Sequence, residues 1–451
     1  MKKLLIICEF FEPSSMIAAT RPTKLAKYLH LEQEYEVTVF MRRVKEAQKR
    51  KKTDVHNYVK ETHYVPSFCH LLRVIYFPPR AIRKIVVALL SKIAPHSSFY
   101  QNVSHKLNGL VGRVCEQLDY QEGKKQGKWI AKQVRESGES YDVIFSTYAP
   151  YYTVFAGELI KANQPDCFWV CDFRDSINRG FASSRMEKKL EIFMDKHCQG
   201  ADLITAVSQG VLDDLPMSLD VIDEQKRMVL PNGYDPEEVL GTTQSDDLHK
   251  TEGLIFVYTG MMYVGRRDLS PFFQAIRELL DAKEIEEQKI RIYYAGFDGE
   301  VTKNQAARYY IQDLVKDFGY ISKDDSLLLQ HKGDIMLLAS WNSQKSQGIV
   351  TGKIYEYMMM KKPIVATVMG DLAKSEIKNM MEEMDLGFCF EEMTKAQDFN
   401  SLKTFIVEQY KHKEVTGKVR YFGNEEKIAG YQYNRIASTL ANVINMKRGI
   451  K

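Results

Sequence analysis

The stretch Gln347-Gly348-Ile349-Val350-Thr351-Gly352-Lys353-Ile354-Tyr355-Glu356-Tyr357-Met358, followed by Lys361-Lys362-Pro363-Ile364-Val365-Ala366, decides how this chain is read. Thr351 and Gly352 stand where a helix begins. Its first N–H groups and positive dipole end would face an anion, and Gly348 and Gly352 permit close approach, so the segment reads as a diphosphate cradle. Lys353 and Glu356, three residues apart, project from one helical face. They place a cation near the phosphates and, one turn deeper, a carboxylate that can accept hydrogen bonds from ribose hydroxyls. The residues alone leave a second reading open, a capped surface helix with a solvated Lys–Glu pair. An apolar strand follows.

Outward from this segment, short β-branched or aliphatic runs alternate with helical patterns, which predicts α/β architecture with parallel sheets. Strands are expected at residues 254–258, 290–295, 335–338, 363–367 and, more weakly, 387–390 in the second half. The first half carries them at 3–8, 36–40, 142–146, 168–171, 203–207 and 228–230. Between the two series lies Pro231-Asn232-Gly233-Tyr234-Asp235-Pro236, a cluster of turn formers. The expected organisation is an acceptor-binding Rossmann-like domain over 1–235 with a helical insertion at about 66–135, and a donor-binding Rossmann-like domain over 236–425. A C-terminal helix in 426–451 is expected to pack back toward the first domain. Ligands of such sheets bind at the carboxyl ends of the strands, so the site is expected in the cleft between the domains.

Composition narrows the function classes. A chain of 451 residues buries large cores unaided, and 44% hydrophobic with 27% charged residues is that of an ordinary globular protein. Net charge is +4, too small to imply a nucleic-acid partner. The longest aliphatic run, 85–90, is far short of the roughly 18 residues of a spanning helix. Seven scattered cysteines without CxxC or zinc spacing suggest a reducing cytosol and no metal site. Charge is unevenly spread: Arg42, Arg43, Lys45, Lys49, Arg50, Lys51 and Lys52 face only Glu46, a local +6. Nearby, Ile82, Ile85, Val86, Leu89, Leu90 and Ile93 form an apolar helical stripe flanked by Arg80, Arg83, Lys84 and Lys92. Such a helix fits either a core or an anionic membrane surface.

The segment 352–357 with 362–366 resembles the donor-binding signature of GT-B glycosyltransferases of family 4, group 1 type, in the K-x-x-E-Y variant of cell-surface polysaccharide enzymes. Asn232-Gly233-Tyr234-Asp235 resembles the family's interdomain NGxD, and Tyr258-Thr259-Gly260 with Arg266-Arg267-Asp268 its first donor-domain strand and phosphate loop. Phe318-Gly319-Tyr320-Ile321 with Gly333-Asp334 resembles its base-contacting segment. The resemblance implies donor binding by Gly260, Arg266, Arg267, Tyr320, Ile321, Gly348, Thr351, Gly352, Lys353 and Glu356. It also implies a nucleotide-sugar donor, UDP-sugar first, a lipid-linked or glycan acceptor, retention at the anomeric carbon and no cofactor. The family's usual first glutamate is Gly348 here, a departure that bears on the sugar rather than the nucleotide.

In the first half, Arg21 opens a helix after the first strand and is a candidate acceptor contact. Asp172-Phe173-Arg174-Asp175 follows the strand at 168–171 and resembles the D-x-R-D of related enzymes. Asp172 and Asp175 are expected at the cleft edge to orient an acceptor hydroxyl or take its proton, with Arg174 beside them. Local ion pairs closing a turn are the structural alternative. No Asp-x-Asp occurs, which fits leaving-group stabilisation by Lys353, Arg266 or Arg267 and backbone N–H groups. The expectation is therefore a peripheral enzyme on the inner face of the cell membrane. An isomerase of the UDP-N-acetylglucosamine 2-epimerase type and a non-catalytic subunit of a glycan synthase are the alternatives.

Overall fold

The computed structural model describes residues 1–44, 54–68, 98–175, 184–215, 224–240 and 253–449. The basic run beyond Val44 and the stripe at 80–93 lie outside the described residues. Within them, β1 (Lys2–Ile7), β2 (Tyr35–Arg42), β3 (Glu61–Val65), β4 (Val143–Tyr148), β5 (Phe168–Phe173), β6 (Leu203–Ala206) and β7 (Arg227–Val229) make one sheet, ordered β3-β2-β1-β4-β5-β6-β7. A second sheet, ordered β10-β9-β8-β11-β12-β13, contains β8 (Leu254–Thr259), β9 (Ile290–Ala295), β10 (Val315–Asp317), β11 (Ile335–Trp341), β12 (Ile364–Met369) and β13 (Gly387–Glu391). Neighbouring strands pair in parallel, for instance Ile6 with Val39 in the first sheet and Leu338 with Ala366 in the second. Strand order reverses between β1 and β4 and between β8 and β11, which opens a crevice at the carboxyl edge of each sheet.

The helices in chain order are α1 (Thr20–Gln33), α2 (Ser98–Ser137), α3 (Tyr151–Asn163), α4 (Ser184–His197), α5 (Gln209–Asp213), α6 (Glu237–Leu240) and α7 (Ser270–Asp281), then α8 (Gly299–Ala307), α9 (Lys323–Lys332), α10 (Lys353–Met360), α11 (Glu376–Glu383), α12 (Lys395–Thr416), α13 (Glu425–Ala429) and α14 (Tyr433–Lys447). Helices cover both faces of each sheet, so central strands such as β8 (LIFVYT) are buried throughout and read as continuous apolar runs. The edge strands β3 (ETHYV) and β10 (VKD) are mostly exposed and carry no such run. For that reason the apolar pattern gives no sign of either.

Helix α14 presents Tyr433, Ile436, Ala437, Leu440, Ala441 and Ile444 at helical spacing to the core beneath β1 and β2, where they meet Leu25, Tyr28 and Leu29 of α1. The last helix in sequence thus completes the first domain's core. Leu440→Ala is expected to cost about 2–5 kcal/mol, because a buried leucine loses its transfer energy and leaves a cavity. Urea denaturation of the variant checks this. Chain segments cross between the domains at 231–235 and at 431–433, and the two crossings are hydrogen-bonded to each other: Tyr234 N–H donates to Tyr431 C=O and Tyr433 N–H to Tyr234 C=O, both at 3.0 Å.

Candidate functional site

A cleft of about 350 Å³ lies between the domains. Segments that follow β1, β5 and β6 line one wall, and segments that follow β8 and β11 line the other. The volume is that of a small-molecule site.

On the second wall, Gly352 caps α10 without a side-chain bond, and Thr351 Oγ accepts from the Lys353 N–H at 3.1 Å. The first N–H groups of an α-helix have no intrahelical partner, so this end can receive an anion. Lys353 Nζ lies 2.8 Å from Glu356 Oε2, and the buried Gln330 donates to the same oxygen at 3.0 Å and to Thr259 Oγ at 3.0 Å. The expected Lys–Glu pair therefore exists, and Gln330, which sequence reasoning missed, fixes the carboxylate. Gly260 follows β8 at φ +132° with the Lys353 side chain 3.6 Å from where a Cβ would stand, so the loop after β8 passes close to the pair. Arg267 lines the cleft, donates to Met261 C=O at 3.0 Å and lies 4.6 Å from the centre of the Tyr263 ring. Lys362, in the motif's second half, instead donates to the carbonyls of Gln330, His331 and Gly333 and caps the end of α9. Burial pulls its amine down to about 8.

Thr351, Gly352, Glu356, Gly348 and Arg267 all line the cleft. Gly260, Lys353, Arg266, Tyr320 and Ile321 are not among its lining residues. Arg266 faces the Trp341 ring at 6.0 Å, and Tyr320 stacks on Phe297 with centroids 4.4 Å apart, 70% exposed beyond β10.

The first wall differs more from expectation. Strand β5 runs on to Phe173, so Asp172 sits inside it, paired with Thr147 and Thr205 on either side, and is wholly buried. Arg21 Nη2 and Nε donate to its two oxygens at 2.7 and 3.1 Å, and Thr205 Oγ donates at 2.7 Å. Asp172 is thus a buried anchor and does not reach an acceptor hydroxyl. Arg21 borders the cleft but is 2% exposed, and it also donates to the Leu230 and Pro231 carbonyls at 2.8 and 2.7 Å. Its geometry makes it the tie between α1, β5 and the interdomain crossing, at the border of the cleft. Arg174 and the exposed Asp175 do line the cleft; Arg174 donates to Ala18 and Ala149 carbonyls at 3.0 and 3.2 Å.

Residues 253–399 match the family described as glycosyl transferases group 1. They span β8 to β13. The two-domain chain is similar in structure to the N-terminal domain of Candida albicans trehalose-6-phosphate phosphatase, at 11% identity, 99% of this chain, 97% of that one and a TM-score of 0.62. Sucrose-phosphate synthase from Thermosynechococcus elongatus matches at 12% identity, 99% of each chain and 0.57. WaaG, a glycosyltransferase involved in lipopolysaccharide biosynthesis, matches at 11%, 98% of this chain, 99% of that one and 0.51. No curated protein matches the sequence. At these identities the likeness is one of fold: two Rossmann-like domains facing a cleft, the GT-B architecture.

The interdomain crossing is built around charge. Asp235 is 2% exposed and accepts from Lys24 at 2.6 Å, Tyr28 at 2.7 Å, Lys27 at 3.3 Å and the Glu237 N–H at 3.0 Å. Glu238 joins Lys24 at 3.1 Å to Lys323 of α9 at 2.7 Å, which links the two domains. Only the packing of Lys24 and Lys27 on the crossing reveals the cluster. Among the described residues no group of three or more His, Cys, Asp and Glu is placed to hold a metal ion, and no helix is long and apolar enough to cross a membrane.

Proposed function

We propose that the protein is a glycosyltransferase that moves a sugar from a nucleoside-diphosphate sugar, UDP-sugar first, to a lipid-linked or growing glycan acceptor with retention. We place it in the assembly of cell-surface polysaccharide at the inner face of the membrane. The observation that carries this reading is the Lys353–Glu356 pair at the start of α10, with Glu356 on the cleft wall opposite Arg174 and Asp175. In the proposed reaction the cation of Lys353, the Arg267 guanidinium and the N–H groups at the head of α10 stabilise the departing diphosphate. Glu356 receives the ribose hydroxyls, Asp175 and Arg174 orient the acceptor, and the closed cleft limits hydrolysis of the donor.

Thermal unfolding in the presence of UDP-, GDP- and ADP-sugars tests the donor. One of them at a hundred times its Kd should stabilise the protein by about 2.7 kcal/mol. Glu356→Ala and Lys353→Ala should each weaken that ligand by about tenfold or more, the loss of a charge-assisted hydrogen bond. Unchanged binding in both variants would remove the proposed nucleotide site. Conversion of the sugar nucleotide without any acceptor would assign an isomerase instead.

A further inference from the structure

The domains touch beside the cleft at the first turn of α5. Ser208 caps that helix by accepting from the Val211 N–H at 3.3 Å, and its hydroxyl donates across the boundary to Gly348 C=O at 2.8 Å. The N–H groups of the next two residues, Gln209 and Gly210, donate to Glu376 of α11 at 3.3 and 2.6 Å. These are N–H groups that the short helix cannot satisfy itself, and a carboxylate from the other domain supplies the acceptor.

Both contact points are held rigidly on the second domain. The loop bearing Gly348 is fixed by Ser340 Oγ donating to Ile349 C=O at 3.0 Å and by the Trp341 indole donating to Ser346 Oγ at 3.2 Å. The turn before Glu376 is fixed by the buried Glu391, which accepts from the Lys374 and Ser375 N–H groups at 2.9 and 2.7 Å. Between the two points the backbones meet without side chains. A Cβ on Gly210 would lie 2.5 Å from Gly348 N, and one on Gly348, at φ +68°, would lie 2.7 Å from Gly210 Cα and from Ser208 Oγ. Position 348, the residue that departs from the resembled motif, is therefore where the second domain seats on the first.

We infer that Glu376, Ser208 and the Gly210–Gly348 contact form an interdomain latch that holds the cleft closed, and that these are positioning residues for transfer. In this chain a side chain at 348 would prop the domains apart. The effect on transfer rests on the function proposed above, whereas the latch itself does not.

The test uses the full chain with Glu376→Gln, Gly348→Glu and Ser208→Ala, the last removing a hydroxyl without touching the backbone. Hydrogen exchange at the Gly210 amide should quicken by about tenfold in each, as its acceptor is weakened or withdrawn. Small-angle scattering should show Gly348→Glu as more extended than the parent. With UDP as the probe, Kd for Glu376→Gln should stay within about threefold while its transfer falls by about tenfold, a split between ground-state binding and turnover, and transfer by Gly348→Glu should fall by about a hundredfold. Gly210 exchange within about twofold of the parent in all three variants would overturn the latch. So would transfer by Gly348→Glu at or above the parent rate. If the parent transfers no sugar, the function fails but exchange and scattering still decide the latch.

Discussion

Asp172→Ala is expected to destabilise the protein by about 3–5 kcal/mol, the cost of leaving one member of a buried ion pair without the other. The Arg21 side chain is 3% exposed and that of Asp172 is fully buried, so the stranded guanidinium would stay almost wholly out of water. Its other bonds, to the Leu230 and Pro231 carbonyls, would carry the disturbance into the interdomain crossing. Asp172→Asn, of the same shape, should lose less. Urea denaturation followed by circular dichroism checks both variants. A residue serving only an acceptor hydroxyl would behave oppositely, with the midpoint unmoved and transfer abolished, and that result would restore Asp172 to the cleft.

Asp235→Ala is the second large effect, again about 3–5 kcal/mol, because Lys24 and Lys27 would be left buried around a missing carboxylate. Burial alone pushes the Asp235 carboxyl upward, but Lys24, Tyr28 and Lys27 together hold it down at about 2. That is below the unfolded value of about 3.9, so the carboxylate's contribution is fully present above about pH 4 and is lost as pH falls toward 2. The parent's stability should therefore fall steeply with acidification over that window, and the Asp235→Ala protein should show a shallower slope there. Equal slopes in denaturation midpoints measured from pH 6 to 2 would exclude Asp235 as the titrating group.

Much of the architecture was legible because each central strand is buried on both faces and so must be an unbroken apolar run, as in β8 and β12. The same condition hid β3 and β10, whose edge positions leave them half in water. The extent of β5 was misjudged for a related reason. Its last two residues are Asp172 and Phe173, and an aspartate signals a strand's end until a partner such as Arg21 is seen to neutralise it inside the sheet.

The sequence by itself determined what depends on spacing along one element: the alternating α/β series and the start of α10 with Lys353 and Glu356 one turn apart. A helix carries such pairs on one face whatever surrounds it. Only the tertiary structure decided what depends on partners more than about a hundred residues away. Arg21 and Asp172 turn inward together, Asp235 gathers two lysines of α1, and Gly348 meets Gly210 across the domain boundary. Burial changes what a charged or glycine residue can do, and burial is a property of the assembled fold.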